Sequence, residues 1–191
     1  MTQRFGGHPM DNGASSYRRF LDGDESAFDE IMKELFDNLV FFIDRYVHDI
    51  HAAEDIAIDT FSDLVVNRHR YNFKVTLKTY LFMLGRSRAL NYIKHRKVID
   101  FVELSEADKV PEHETLEEIV LVDERKRVVN NALSALSDDM RVVIHLIYFE
   151  GLSYDEAAKV MKKNRKQVDN LLYRVKKELR IILGKDGEHL L

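Results

Sequence analysis

The chain has 191 residues, 45% of them hydrophobic, with no cysteine, two prolines and a formal charge of -4. Without cysteine there are no disulfides, thiolate metal sites or cysteine nucleophiles, and no apolar run approaches the ~20 residues that a membrane helix needs. No basic-then-apolar leader is visible, so a cytoplasmic location is expected, and few breakers with little β-branched alternation point to an all-α protein.

Residues 1–15, with Gly6, Gly7, Pro9 and Gly13, read as a disordered tail. Asp24 can cap a helix carrying Phe28, Ile31, Leu35, Leu39 and Phe42, spaced by threes and fours along one face. A second helix, about residues 52–66, buries Ile56, Phe61, Leu64 and Val65 and shows Asp55, Asp59 and Asp63 on its opposite face. Residues 68–75 read as a loop. Thr76 then caps a helix through about Arg96, with Leu77, Leu81, Leu84, Ala89, Tyr92 and Ile93 on its buried side. Residues 98–118, with Pro111 and weak periodicity, read as a linker whose helix restarts near Leu116. Val128, Val129, Ala132, Leu133 and Leu136 then open a new apolar stripe.

The segment 137–183 is punctuated by three caps. Ser137 precedes a helix with Asp138 and Asp139 in its first turn, where carboxylates suit the positive end of the dipole; the helix buries Val142, Val143, Leu146 and Ile147 and stops at Gly151. Ser153 and Glu156 form a capping box for a short helix with Ala157, Ala158, Val160 and Met161. After a Lys162-Lys163 turn, Asn164, with Gln167 three residues on, caps a last helix burying Val168, Leu171, Leu172, Val175, Leu179 and Ile182. Short helix, tight turn and longer helix describe a helix-turn-helix, whose second helix enters the major groove by its N-terminal residues. Here these are Arg165, Lys166, Gln167 and Asn170, side chains able to bond base edges, while Arg174, Lys176 and Lys177 are better placed for phosphates.

Charge is segregated along the chain. Residues 22–63 hold thirteen acidic residues against Lys33 and Arg45; residues 64–97 hold nine basic residues and no Asp or Glu. Residues 98–127 carry ten carboxylates, and 159–185 carry ten basic residues against Asp169 and Glu178. Two basic blocks separated by an acidic one suggest two polyanion-binding surfaces on two modules.

Several segments, in order, resemble the bacterial sigma factors of the sigma-70 type, in particular the compact extracytoplasmic-function group. Residues 20–28 (FLDGDESAF) resemble the opening of the family's region 2, and Ala53-Glu54-Asp55-Ile56 with Asp59-Thr60-Phe61 its polymerase-binding helix. Residues 80–94 resemble its promoter-melting and -10 helix, and residues 136–158 its region 4. The resemblance implies two small helical domains, region 2 over 16–97 and region 4 over 119–185, joined by the acidic linker and followed by a tail, 186–191.

It further implies a transcription initiation factor and not an enzyme, with core RNA polymerase and promoter DNA as partners. An anti-sigma factor as a further partner, with no cofactor, no metal and no membrane insertion, completes the expectation. Asp55, Asp59, Ser62 and Asp63 would face polymerase. Arg70, Asn72, Lys74, Arg86, Ser87, Asn91 and Lys94 would hold the melted -10 element, with Tyr71, Phe73 and Tyr80 offering stacking surfaces and residues 70–76 taking up a flipped base. Lys163, Arg165, Lys166, Gln167, Asn170, Arg174 and Lys177 would read the duplex -35 element. The chain departs from the family at Ser87, where Asn is frequent, and at Lys162-Lys163, where Gly and an aliphatic residue are usual. The alternative is a stand-alone helix-turn-helix regulator that never engages polymerase. His48, Asp49, His51, Glu54 and Asp55 lack the spacing of a known metal motif and read as surface residues.

Overall fold

The computed structural model describes residues 13–103 and 132–183. Expectations for the N-terminal residues before Gly13, most of the acidic linker, Val128, Val129 and the tail 186–191 lie outside the described residues. Within them every element is helical, in two sets. The first set comprises α1 (Ala14–Leu21), α2 (Ser26–Val47), α3 (Ile50–Val66), a 3-10 turn (Arg68–Arg70) and α4 (Leu77–Glu103). The second comprises α5 (Asp138–Ile144), a wide π turn (His145–Phe149), α6 (Tyr154–Met161) and α7 (Arg165–Leu183).

In the first set, α2 lies at the centre. Ile31, Leu35, Leu39, Phe42 and Ile43 are buried along it, against Ile56, Phe61 and Leu64 of α3 and Leu77, Leu81, Phe82 and Ala89 of α4. Gly85 lets α4 approach closely: a Cβ there would stand 2.9 Å from Leu39 Cδ1 and 3.3 Å from Ile43. The α1 helix begins at Ala14, inside the segment read as tail, because Tyr17 and Phe20 join the core. The Tyr17 phenol donates within reach of Leu64 O (3.0 Å) and Arg68 O (3.2 Å), tying α1 to the end of α3. Burial pushes that phenol up to about 12.

Other boundaries move for local reasons. Asp49, and no residue nearer Ala52, starts α3, its side chain accepting from His51 N and Ala52 N. The α4 helix runs past Arg96 to Glu103, into the segment read as linker. In the second set, α7 packs on both α5 and α6, and the core so formed buries Val142, Val143 and Leu146, Ala157, Val160 and Met161, and Val168, Leu172 and Val175 of α7. The helix whose spacing predicts a stop at Gly151 leaves α geometry earlier, at Ile144, and widens to bonds such as Glu150 N to His145 O (3.0 Å).

The two sets are packed together, α6 on α4 and α5 on α2, in one continuous core. At the seam Lys78 of α4 meets Glu150: Nζ donates to the Glu150 carbonyl at 2.8 Å and lies 2.7 Å from Oε2. The Lys78 side chain is 11% exposed and that of Glu150 4%. His145 Nε2 stands 3.2 Å from Glu150 Oε1, and its ring stacks on Phe42 at 6.1 Å between centroids. Beside them, the Thr76 and Thr79 hydroxyls lie 3.3 and 3.1 Å from Glu156 Oε1. Glu156 Oε2 meanwhile completes the capping box with Ser153. One carboxylate thus joins the first turns of α4 and α6. Burial opposes the charge on Glu150, but His145 and Lys78 beside it hold its carboxyl below the usual range. Burial lowers His145 in spite of that carboxylate.

Candidate nucleic-acid and polymerase interfaces

The helix-turn-helix is built as its caps dictate. Ser153 and Glu156 satisfy each other's backbone N–H groups at the start of α6. Asn164 and Gln167 do the same for α7, Gln167 N donating to Asn164 Oδ1 at 2.9 Å and Asn164 N to Gln167 Oε1 at 2.8 Å. Between them Lys162 takes the left-handed conformation (φ 53°, ψ 44°), and Lys163 N closes the turn onto Ala158 O at 2.9 Å. The turn therefore keeps the geometry that usually recruits glycine, at the strain cost of a side chain there, on the order of 1 kcal/mol.

On α7, Val168, Leu172, Val175 and Leu179 face the core, leaving Arg165, Lys166, Gln167, Asn170, Arg174 and Lys177 exposed. Three expected readers have intramolecular partners. Arg165 Nη1 lies 2.9 Å from Asp155 Oδ2, an exposed pair that solvent screens, and the Gln167 carbonyl oxygen is spent on its cap. Lys163 Nζ stands 3.0 Å from Asp139 Oδ2.

The other basic block is less free than its composition implies. Arg70, Asn72, Lys74, Asn91 and Lys94 are exposed around the loop and along α4. Lys78 is buried in the seam. Arg86 is half-buried against α2, where it hydrogen-bonds the Tyr46 phenol; burial pushes that phenol up to about 12. Ser87 is half-buried too. The aromatics of the loop pack among themselves: Tyr71 is 4% exposed, its hydroxyl donates to Val75 O at 2.7 Å, and its ring lies 4.6 Å from Phe73 and 5.0 Å from Tyr80. Tyr71 is thus a support of the loop and not a stacking surface. Phe73 holds a left-handed φ of 59°, rare for a bulky residue, with the Arg18 guanidinium 4.9 Å from its ring.

Along α3, Asp55, Asp59 and Ser62 are exposed. Asp63 is not: its side chain, 15% exposed, turns inward toward Arg70 (3.5 Å) and Arg88 (3.7 Å) and accepts from Asn67 Nδ2 at 2.6 Å. Arg88, which spacing alone did not single out as a site residue, is brought to the loop by this contact. Next to Ser62 an open groove of about 320 Å³ between α2 and α3 is lined by Met32, Ile58, Phe61 and Val66, with Ile58 and Val66 largely exposed. The histidines near α3 serve local ends: His48 ends α2 in left-handed geometry, and His51 pairs with Glu54 at 3.7 Å. Among the described residues no three His, Asp or Glu side chains are grouped to hold a metal ion, and no helix is long and apolar enough to cross a membrane.

The same two modules recur in known proteins. The sigma-70 region 2 family matches residues 31–98, and the sigma-70 region 4 family residues 126–179. The extracytoplasmic-function RNA polymerase sigma factor SigM of Bacillus subtilis is 25% identical over 82% of this chain and 95% of its own. The RNA polymerase sigma-H factor of Pseudomonas aeruginosa is 28% identical over 73% of this chain and 77% of its own. In fold, the chain is similar to the sigma factor RpoE of Bartonella quintana, solved with the anti-sigma factor NepR. The TM-score is 0.61 at 22% identity, covering 83% of this chain and 98% of that one. It is also similar to CnrH, solved with the cytosolic domain of CnrY (TM-score 0.59, 19% identity, 93% and 96% covered). With both region families in order on one chain and relatives of one kind, this protein belongs to the sigma-70 family of RNA polymerase sigma factors, in its extracytoplasmic-function group.

Proposed function

We propose that this sigma factor divides promoter recognition between the exposed basic face of α7 and the loop 70–76 with the outer face of α4, and makes no catalytic contribution of its own. Arg165, Lys166 and Asn170 read base edges of the -35 duplex, Gln167 offers its amide nitrogen while its oxygen caps the helix, and Lys163, Arg174 and Lys177 hold phosphates. Arg70, Asn72, Lys74, Asn91 and Lys94 follow the opened -10 strand. Arg86 and Ser87, half-buried, contribute to that surface only from its inner edge.

Asp55, Asp59 and Ser62, beside the apolar groove, form the surface for core RNA polymerase, acidic residues steering the encounter and Ile58 and Val66 supplying dry contact. The same surface suits an anti-sigma factor, the kind of partner present with the sigma factor RpoE. Such a protein works in the cytoplasm, where polymerase is. The observation that carries the reading is the one-sidedness of α7: Val168, Leu171, Leu172, Val175 and Leu179 are buried, Ile182 at its end is exposed, and Arg165, Lys166, Gln167, Asn170, Arg174 and Lys177 reach solvent.

Run-off transcription with purified core polymerase tests it. Discrete start sites that appear only when this protein is added support the reading. Sequence-specific duplex binding with no polymerase recruitment at any genomic promoter would instead favour a stand-alone regulator.

A further inference from the structure

Asp63 occupies an unusual place in the charge plan. It is the last acidic residue before the acid-free block 64–97. The fold sets its carboxylate among three segments: Asn67 at the end of α3, Arg70 in the 3-10 turn and Arg88 on α4. The Tyr80 phenol lies in the same pocket, raised by burial first and by Asp63 next, with Arg70 opposing. Asp63 therefore touches both sides of the surface that the preceding reading gives to the opened -10 strand. With only 15% of its side chain exposed, it has little to offer a polymerase surface.

We propose that Asp63 is a positioning residue for -10 recognition, holding Arg70 and Arg88 so that the strand meets two pre-set guanidiniums. This rests on the reading that loop 70–76 and α4 take up the strand. A free arginine samples many rotamers, and fixing it on binding costs entropy; a carboxylate between two of them restricts both beforehand. The carboxylate also subtracts one charge from the basic surface and so weakens attraction to any polyanion, whatever its sequence. Both effects trade general affinity for discrimination.

That trade gives Asp63→Asn a signature that other roles do not share. Promoters are first mapped by sequencing transcripts made by wild-type protein with core polymerase; one mapped promoter is then given a randomised -10 segment. With Asp63→Asn in the same full-length assembly, selection among -10 sequences flattens while selection at -35 and affinity for core polymerase stay as they were. Binding of the free protein to a random-sequence single-stranded oligonucleotide rises, by roughly threefold at low salt. Asp63→Glu, which keeps the charge, recovers part of the -10 selection.

A loss of polymerase affinity with -10 selection intact would overturn the proposal and return Asp63 to the polymerase face. A fall in both -10 selection and random-strand binding would mean that Asp63 only supports the fold. If Asp63→Asn does not fold, Arg88→Gln frees the α4 side of the contact and must flatten the same selection. Arg70→Gln separates the two levels of the argument. If it leaves -10 selection unchanged, the reading of the loop fails and takes this proposal with it. If Arg70→Gln alters selection and Asp63→Asn does not, only the proposal fails.

Discussion

The outer face of α7 and the seam between the modules are both made of charged residues, and the fold uses them in opposite ways. On α7, Arg165, Lys166, Arg174 and Lys177 project into solvent, and the helix would stand as well without them. In the seam, Lys78, Glu150 and His145 are almost wholly removed from water and depend on one another. Lys78 comes from the acid-free block whose composition suggested polyanion binding. Its burial shows that a run of basic residues is a mixture, which only packing sorts. An exposed cation is available to DNA; a buried one is committed to its carboxylate.

The largest expected effect follows from breaking that commitment. Lys78→Met leaves the Glu150 carboxylate buried without its cation, which should cost about 3–5 kcal/mol in urea unfolding of the whole chain. Replacing Glu150 with Leu in the same chain should restore most of the loss, because two apolar groups need no mutual compensation. A Lys78→Met penalty below about 1 kcal/mol would show that the seam is hydrated in solution, as an exposed pair is. Mild acid probes the same seam with a smaller effect. The folded His145 resists protonation because it is buried, whereas the unfolded chain protonates it below 6.5, so the unfolded state holds more protons. Stability should therefore fall as pH drops below 6.5, and again below 4.5, where the unfolded chain protonates Glu150 but the folded carboxyl, held low, does not. His145→Gln should remove the first step and leave the second.

On the opposite surface the effects are functional. Arg165→Ala should leave unfolding within about 0.5 kcal/mol of the wild type, its pair with Asp155 being exposed. It should cost about 1–3 kcal/mol of discrimination at a single -35 position. An equal loss across all base variants would assign Arg165 to phosphate instead. Lys177→Ala, by contrast, should weaken duplex binding evenly and reduce the salt slope by about one.

How much of this was legible beforehand depends on whether a residue's role is local. The caps Ser153–Glu156 and Asn164–Gln167 and the buried stripes of α2 and α7 follow from spacings of three and four, which the helix itself imposes. The α1 helix is not legible in the sequence, because it is short and relies on Tyr17 and Phe20 reaching a core built from distant residues. Asp63 recurs at helical spacing with Asp55 and Asp59, and spacing alone groups it with them. The helix places it on that side, but contacts from the turn and α4 bury it, and no periodicity within α3 reveals those. Lys78 and Glu150 are 72 residues apart, and their pairing depends on how the modules dock. Sequence spacing described faces well and said little about which face another element would cover.

The turn between α6 and α7 is the smallest place to test that comparison, because Lys162 belongs to both sides of it. Its backbone is strained at φ 53°, and its side chain is exposed beside α7, the helix proposed to read the -35 duplex. Replacing it with glycine relieves the left-handed geometry, which should add about 1 kcal/mol of stability and raise the melting midpoint by roughly 2–4 °C. If the lysine is kept for its charge, the same change should weaken duplex binding evenly across -35 variants and lower the salt slope by about one. A stabilised protein with weaker, equally selective binding would mean that the chain accepts strain at this turn for a phosphate contact. Unchanged binding would remove Lys162 from the DNA surface and leave the strain without a functional counterpart.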